Sequence, residues 1–140
     1  MSAYETLVNA LNNTAITDIT SSDIAYDNYN FNPEGKAAWL SAFYMPAITS
    51  TLSKNYTREE EGIFQVSIYV QSNDEVGGAF KYGTRTNQIT SDIEATFYAN
   101  SILTYNNISV TIQETTIQRG NDANGWYEQI LSINYVRNIS

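Results

Sequence analysis

The chain contains neither cysteine nor histidine among its 140 residues. This absence excludes disulfides, thiolate nucleophiles, imidazole metal ligands and every catalytic triad whose base is histidine. Most hydrolase mechanisms are therefore excluded as well. We expect a protein that is not an enzyme, with no catalytic residues, no bound metal ion and no cofactor.

Basic residues are also scarce. Seven Lys and Arg residues stand against fifteen Asp and Glu residues, which gives a net charge of −8. The basic residues are scattered along the chain: Lys36, Lys54, Arg58, Lys81, Arg85, Arg119 and Arg137. Because binding to nucleic acid requires clustered positive charge at the phosphates, this distribution argues against a general nucleic-acid-binding protein.

Long apolar runs are absent too. No stretch approaches the roughly 18 apolar residues of a membrane span, and the first residues, MSAYETLVNAL, lack the basic start and apolar run of a signal peptide. We therefore expect a soluble protein, made in the cytoplasm, that does not contact a membrane.

The residues that are present suffice for a folded domain. Hydrophobic residues make up 42% of the chain, and eleven tyrosines supply most of the aromatic content. This composition can form a core and leave tyrosines for contact surfaces. The length suits one domain, residues 1–140, since single domains typically have about 100 to 150 residues.

Two elements are predicted in the first quarter of the chain. Ser2 and Glu5 form a capping-box pattern ahead of an apolar helical face, which predicts a short N-terminal helix over residues 2–12. Residues 24–31 are rich in aromatic and β-branched side chains and predict a strand, and a turn at 32–35 follows.

A hairpin with a long tip is predicted over residues 37–70. Its first strand alternates from Ala37 to Met45, and Pro46 should end it. Its second strand alternates over residues 63–70, with four apolar side chains predicted to point inward: Phe64, Val66, Ile68 and Val70. The polar segment ITSTLSKNYTREEE forms the tip.

A longer helix and a second hairpin complete the pattern. Apolar residues at three- and four-residue steps predict the main helix over 75–98, with Asp74 as N-cap, although three glycines weaken its first half: Gly77, Gly78 and Gly83. Alternation predicts a C-terminal hairpin over 107–138, with a turn at 121–125. This order of elements predicts an α+β fold, a mostly antiparallel sheet flanked by two helices.

The three carboxylates Glu59, Glu60 and Glu61 have several possible roles. Paired carboxylates could serve acid–base chemistry such as glycoside hydrolysis. In an extended chain, however, Glu59 and Glu61 share one face while Glu60 points to the other. A solvated acidic arm that prevents unwanted strand pairing is the favoured interpretation, followed by a contact or pore-lining role.

Two other motifs have structural explanations. Asp122 to Gly125 resembles the start of a calcium loop, but the twelfth position is Ile133 instead of glutamate, so a hairpin turn is favoured. Gly77-Gly78 lacks the lysine and serine of a phosphate-binding loop, which favours helix packing.

Aromatic residues alternate with amides between residues 26 and 31. Tyr26, Tyr29 and Phe31 could form a carbohydrate or nucleobase platform, or equally an edge strand or a subunit interface. The acidity of the chain disfavours the nucleobase.

Several segments, in their order and spacing, resemble the tail-terminator or tail-completion family of long-tailed bacteriophages. The segments are REEEGIFQVSIY at residues 58–69, Gly77-Gly78 before a helix that contains Asp92-Ile93, and Gly125-Trp126-Tyr127 at the start of the last strand. The resemblance covers residues 24–138.

This resemblance implies a tail-terminator-like α+β domain that forms a homo-hexameric ring in the virion of a siphophage, at the head–tail junction. The ring would cap the head-proximal end of the tail tube, stop tube polymerisation and provide the surface onto which the head docks. Its partners would be the major tail tube protein and a head-completion or connector protein.

The resemblance also assigns a role to the hairpin tip. The tip would contact the tube or a neighbouring subunit, or line the lumen, through Lys54, Tyr56, Arg58, Glu59, Glu60 and Glu61. DNA would pass through such a ring without specific binding, because an acidic lumen repels phosphate. A closed ring needs two complementary surfaces per subunit, and the surplus tyrosines could supply them.

Two alternatives remain open from the sequence. A head-completion or neck protein would also form a ring. A small α+β ligand-binding protein or enzyme that uses Tyr and Glu residues belongs to a different class, and a deep apolar pocket with convergent polar groups would favour it.

Overall fold

The computed structural model describes residues 3–16, 19–26, 32, 38–46, 50–51, 58–71, 75–76, 79–80, 82–120 and 125–139. The elements within these residues are α1 (Tyr4–Asn12), β1 (Ile24–Tyr26), β2 (Ala38–Pro46), β3 (Ser50–Thr51), β4 (Arg58–Gln71), β5 (Glu75–Val76), β6 (Ala79–Phe80), α2 (Tyr82–Glu94), β7 (Ile102–Tyr105), β8 (Ile108–Arg119) and β9 (Trp126–Ile139). A short 3₁₀ turn, Ser21–Asp23, leads into β1.

One curled sheet organises the protein. Its strand order is β1-β2-β4-β9-β8-β7, and β3 pairs with the first residues of β4. β1 runs parallel to β2, and the other neighbours are antiparallel. β5 and β6 form a separate two-stranded ribbon. The predicted fold class, an α+β domain with a mostly antiparallel sheet and two helices, is confirmed.

The sheet has an inner face covered by helices and an outer face. The four inward residues predicted for β4 are all buried, and they lie across from Leu131 and Ile133 of β9 or from residues of β2. Leu7 and Leu11 of α1 join the same core. β4 and β9 pair over fourteen residues each and form the centre of the sheet.

The main helix begins later than predicted. α2 starts at Tyr82, and residues 75–76 and 79–80 pair as the β5–β6 ribbon. The physical reason is in the sequence: Gly77 and Gly78 each disfavour a helix by about 1 kcal/mol, and a Gly-Gly pair favours a two-residue hairpin connection. Asp74, the predicted N-cap, lies outside the described residues.

The apolar face of α2 is nevertheless as predicted. Thr86, Ile89 and Ile93 are buried, and so is Phe97, which follows the helix end at Glu94. Gln129 of β9 donates a hydrogen bond from Nε2 to Oγ1 of Thr90 at 2.7 Å. This buried contact fixes α2 against the centre of the sheet.

The N-terminal helix and the first strand also differ in their bounds. α1 begins at Tyr4 with Ala3 at the N-cap, one residue later than the predicted capping box requires, and no side chain caps it. Ser2 lies outside the described residues. β1 covers only the first three residues of the predicted strand 24–31, and residues 27–31 lie outside the described part of the chain. Pro46 is the last residue of β2, as predicted.

Strand β7 was not predicted. It forms a tight hairpin with β8, in which Tyr105 pairs with Ile108 and the two intervening residues, Asn106 and Asn107, have positive φ angles of 50° and 66°. Asparagine tolerates this left-handed conformation, and two-residue hairpins require it. The signal was therefore an Asn-Asn pair between two β-rich segments.

The second predicted hairpin, over 107–138, corresponds to β8 and β9, which are antiparallel. Most of its predicted turn, residues 121–124, lies outside the described residues. Among the residues that the structure describes, neither helix has the length and apolar character that crossing a membrane requires.

Candidate functional site

The acidic residues 59–61 belong to the sheet. They lie near the start of β4, where Glu60 pairs with Arg137 and Glu61 pairs with Val136 of β9. Strand alternation places Glu60 on the inner face and Glu61 on the outer face. Glu60 is only 8% exposed, whereas Glu61 is exposed. The expectation that all three carboxylates form a solvated arm outside the fold is therefore wrong for Glu60.

Buried Glu60 is surrounded by compensating groups. Its Oε2 accepts hydrogen bonds from the hydroxyls of Tyr44, at 2.8 Å, and Tyr135, at 3.1 Å. Nη1 of Arg137 lies 3.9 Å from Oε1. A buried carboxylate costs free energy unless donors or a countercharge surround it, and these groups supply both. We call Glu60, Tyr44, Tyr135 and Arg137 the Glu60 cluster.

The tyrosines of the cluster are held by ring contacts. The rings of Tyr44 and Tyr135 stack with centroids 5.9 Å apart, and Tyr4 of α1 meets Tyr44 edge-on at 5.5 Å. Burial raises the pKa of Tyr135 far above its usual value, and the neighbouring Tyr44 and Glu60 act in the same direction. Tyr135 therefore stays protonated and remains a hydrogen-bond donor to Glu60.

The Glu60 cluster has a structural role. It joins β2, β4 and β9 through one carboxylate, because its members come from these three strands. Glu60 and Glu61 project from opposite faces, as strand alternation requires. The carboxylate pair considered from the sequence, Glu59 and Glu61, stays a prediction, because the side chain of Glu59 lies outside the described part of the chain. Within the described residues, no group of three or more acidic side chains is placed to hold a metal ion.

The outer face carries an exposed apolar surface. Met45 of β2 lies directly opposite Ile63 of β4, and Phe43 is two residues from Met45 on the same face. These side chains are 42%, 37% and 43% exposed, in that order. Glu61, two residues before Ile63 on the same strand face, adds a carboxylate at the border. We call Phe43, Met45, Ile63 and Glu61 the outer patch.

The outer patch could have been recognised in the sequence. Apolar or aromatic residues occupy both alternating faces of β2, whereas an antiparallel sheet commonly has only one face packed on the core. This pattern favours an apolar surface on the face of β2 that the helices do not cover.

An aromatic cluster lies further along the outer face. Trp39 stacks on Tyr69 with centroids 4.2 Å apart, and Trp126 meets Trp39 edge-on at 6.2 Å. Tyr69 donates a hydrogen bond to Oε2 of Glu128 at 2.8 Å. Burial, together with this bond and the negative charge of Glu128, raises the pKa of Tyr69 to about 12. The cluster packs β2, β4 and β9 together on the side away from the helices.

The structure places only some of the other residues singled out in the sequence. The hydroxyl of Tyr26 donates to Oδ1 of Asn12 at 2.5 Å, and the ring is partly buried against the core. Burial raises the pKa of Tyr26 above its usual range, and Tyr4 adds to the shift. Six residues have no described side chain: Tyr29, Phe31, Lys54 and Tyr56 lie outside the described residues, and only the backbone of Arg58 and Glu59 is described. Of the three aromatic residues in the 26–31 segment, the structure therefore places Tyr26 alone. The contact roles of all these residues stay predictions.

A cavity of about 440 Å³ lies where α1 ends, beside α2. Its apolar lining includes Leu11, Ile19 and Ile24, and Asn12 and Asp92 add polar groups. No tyrosine or glutamate is found among the described residues that line it. The alternative of an enzyme that uses Tyr and Glu residues therefore gains no support from this cavity.

Comparison with known proteins agrees with the fold. The sequence model of a family described as phage tail terminator protein matches residues 4–135. A solved structure of a protein without a functional name is 18% identical, covers 98% of this chain and 94% of its own, and superposes with a TM-score of 0.70, which shows a shared fold. No curated protein sequence matches the chain. Because the family match spans nearly the whole chain, the protein belongs to the phage tail terminator family and is a structural component of the bacteriophage tail.

Proposed function

We propose that this protein is the tail terminator itself: a ring of six copies that caps the head-proximal end of the tail tube. The ring stops further addition of the major tail tube protein and presents the surface to which the head, through a completion or connector protein, docks. The observation that carries this proposal is the family match over residues 4–135. Membership of this family implies contact with other tail proteins.

The charge of the chain supports a ring through which DNA slides. Each subunit carries a net charge of −8, so a ring of several subunits has a larger total negative charge, which repels phosphate. Specific binding would hold the genome in the channel and oppose its passage. An acidic ring therefore suits a protein that DNA crosses without being bound.

The shape of the subunit is also compatible with capping. The sheet is built around the long β4–β9 pair, and its outer face bears the exposed side chains of the outer patch. A terminator must bind the end of a tube and close upon itself, which requires more than one contact surface per subunit. Exposed apolar surface with a charged border is typical of such contacts.

The experiment that tests this proposal is tube growth in the presence of the purified protein. Major tail tube protein is allowed to polymerise while light scattering follows the length, and negative-stain images then show the tube ends. We expect growth to stop at amounts far below one copy per tube subunit, because one ring suffices for each tube. Mass measurement should show a hexamer, either free or after contact with tubes.

Substoichiometric arrest distinguishes capping from sequestration. A protein that merely binds free tube subunits would stop growth only near equimolar amounts. A stable dimer that leaves tube length unchanged would contradict the proposal. A ring that binds isolated heads but ignores tubes would instead identify a head-completion or neck protein.

A further inference from the structure

The outer patch is an apolar surface without a helix over it in the part of the chain that the structure describes. Phe43, Met45 and Ile63 are contiguous across β2 and β4, and each is more than one third exposed. Glu61 gives this surface a negative border. A partner that fits it must offer an apolar side chain and, beside it, a positive charge.

A second surface of the same chain has these properties. β7 pairs only with residues 108–111 of β8, and a bulge between Ile112 and Glu114 follows. Beyond the bulge, residues 114–119 have β9 on one side and no described strand on the other. We call residues 114–119 the free end of β8. It contains no proline or lysine, the residues that commonly protect an open strand edge from pairing.

The free end of β8 presents an apolar group beside a cation. Ile117 is 52% exposed. Arg119 lies two residues further along the strand, and therefore on the same face, and is also exposed. The guanidinium of Arg119 lies over the ring of Tyr127, 5.2 Å from its centroid. This contact holds the guanidinium at the end of the strand.

We propose that the outer patch of one subunit binds the free end of β8 of a second copy of this chain. Ile117 of one copy enters the apolar surface formed by Met45 and Ile63 of the next, and Arg119 meets the carboxylate of Glu61. The inference rests on the proposed function, because it names the contact by which the terminator ring closes.

The geometry of the sheet makes this contact a ring-forming one. Ile63 and Glu61 lie on the outer face, whereas Ile117 and Arg119 pair with inner-face residues of β9, Leu131 and Gln129, so the two surfaces of one subunit cannot meet each other. Each copy offers one surface and receives the other. Such heterologous contacts continue from copy to copy until the rotation closes a ring.

The first test uses cysteine pairs, which are unambiguous here because the natural chain has no cysteine. The double variant Ile63→Cys/Ile117→Cys is assembled, alone and on tail tubes, and then oxidised. We expect a ladder of covalent oligomers on a non-reducing gel that ends at the closed ring. The matched control, Ile63→Cys/Ile102→Cys, moves the second cysteine to an exposed position on β7 and should give no ladder.

The second test exchanges the charges. Glu61→Arg alone, or Arg119→Glu alone, should raise the concentration at which half of the protein is assembled by at least about tenfold, because like charges then meet. The double variant Glu61→Arg/Arg119→Glu should recover most of the loss. Thermal unfolding of each monomer confirms that the variants are folded.

The results separate the two proposals. If the wild-type chain assembles and caps tubes while the Ile63→Cys/Ile117→Cys variant gives no ladder, this contact is wrong and the terminator function stands. If the ladder forms but tubes are never capped, the contact stands and the terminator function is wrong. If charge variants assemble normally yet lose tube capping, the outer patch binds the tube protein, and the inference is overturned.

Discussion

The hydroxyl of Tyr135 lies directly over Gly62, its partner across the β4–β9 pair. A Cβ atom at position 62 would stand 2.5 Å from this hydroxyl and 2.7 Å from the backbone carbonyl oxygen of Met45. The ring of Tyr135 therefore packs on the backbone of β4 at Gly62, where no side chain intervenes. Glycine at 62 is what allows Tyr135 to reach Glu60.

We therefore predict that Gly62→Ala destabilises the protein. Overpacking of a buried site typically costs about 1–3 kcal/mol, and here Tyr135 is fully buried and the close oxygen atom of Met45 belongs to the backbone. The measurement is the free energy of unfolding in urea. Gly125→Ala is the comparison, because a Cβ atom there meets nothing within 4 Å and only the positive φ of 83° opposes it. Wild-type stability of the Gly62→Ala variant would contradict the packing described for Tyr135.

The second prediction concerns the two adjacent carboxylates. Glu60→Gln removes the charge that faces Arg137 and weakens the bonds donated by two tyrosines, so we expect a loss of about 1–3 kcal/mol in unfolding free energy. Glu61→Gln alters an exposed carboxylate and should change it by less than about 0.5 kcal/mol. Urea unfolding of both single variants checks the contrast.

This contrast also revises an expectation from the sequence. The solvated acidic arm favoured from the sequence predicts that neutralising Glu59, Glu60 and Glu61 together leaves the unfolding free energy nearly unchanged. The structure changes this prediction for the triple variant Glu59→Gln/Glu60→Gln/Glu61→Gln, in which position 60 should account for most of the loss. Equal, negligible effects at 60 and 61 would mean that Glu60 is solvated after all.

Much of the fold could be predicted because local pattern and global structure agree. The alternation from Phe64 to Val70 and the helical spacing of Ile89 and Ile93 identified the buried faces correctly. Such periodicity reflects which side of an element meets the core, which is a property of the sequence itself. The α+β class followed from the order of these elements.

The predictions from the sequence were wrong where contacts between distant parts of the chain determine the structure. Nothing local in the sequence shows that Glu60 is paired with Arg137, 77 positions away, by the β4–β9 register. The start of α2 was misplaced because spacing alone ignored the strength of Gly77 and Gly78 as a turn signal. The apolar residues on both faces of β2 favour an exposed apolar surface, but which of the two faces the helices leave open is determined only by the packed sheet.

The third prediction concerns high pH. The unfolded chain releases tyrosine protons near pH 10, whereas Tyr69 in the folded state has its pKa raised to about 12. The folded state therefore retains protons that the unfolded state loses, so stability is fully present below about pH 10 and falls as pH rises through 12. Burial moves Tyr26 and Tyr135 in the same direction.

Absorbance at 295 nm, recorded with circular dichroism during an alkaline titration, measures this effect. Part of the increase in absorbance from ionised tyrosine should appear only as the structure is lost. The substitution Tyr69→Phe should make the fall in stability above pH 10 less steep. The same chain in concentrated denaturant provides the reference, since all its tyrosines then titrate together. Complete ionisation near pH 10 with an unchanged circular dichroism spectrum would contradict the burial of these hydroxyls.

The fourth prediction compares two isoleucines that differ only in their surroundings. Ile93 on α2 is fully buried in the core, whereas Ile102 on β7 is 67% exposed. Removal of one buried methyl group leaves a small cavity, so Ile93→Val should lower the unfolding free energy by about 0.5–1.5 kcal/mol. Ile102→Val deletes the same group from a side chain already in water and should change the free energy little. Urea unfolding of the two variants isolates the contribution of α2 packing, and equal losses would mean that α2 does not present Ile93 to the sheet.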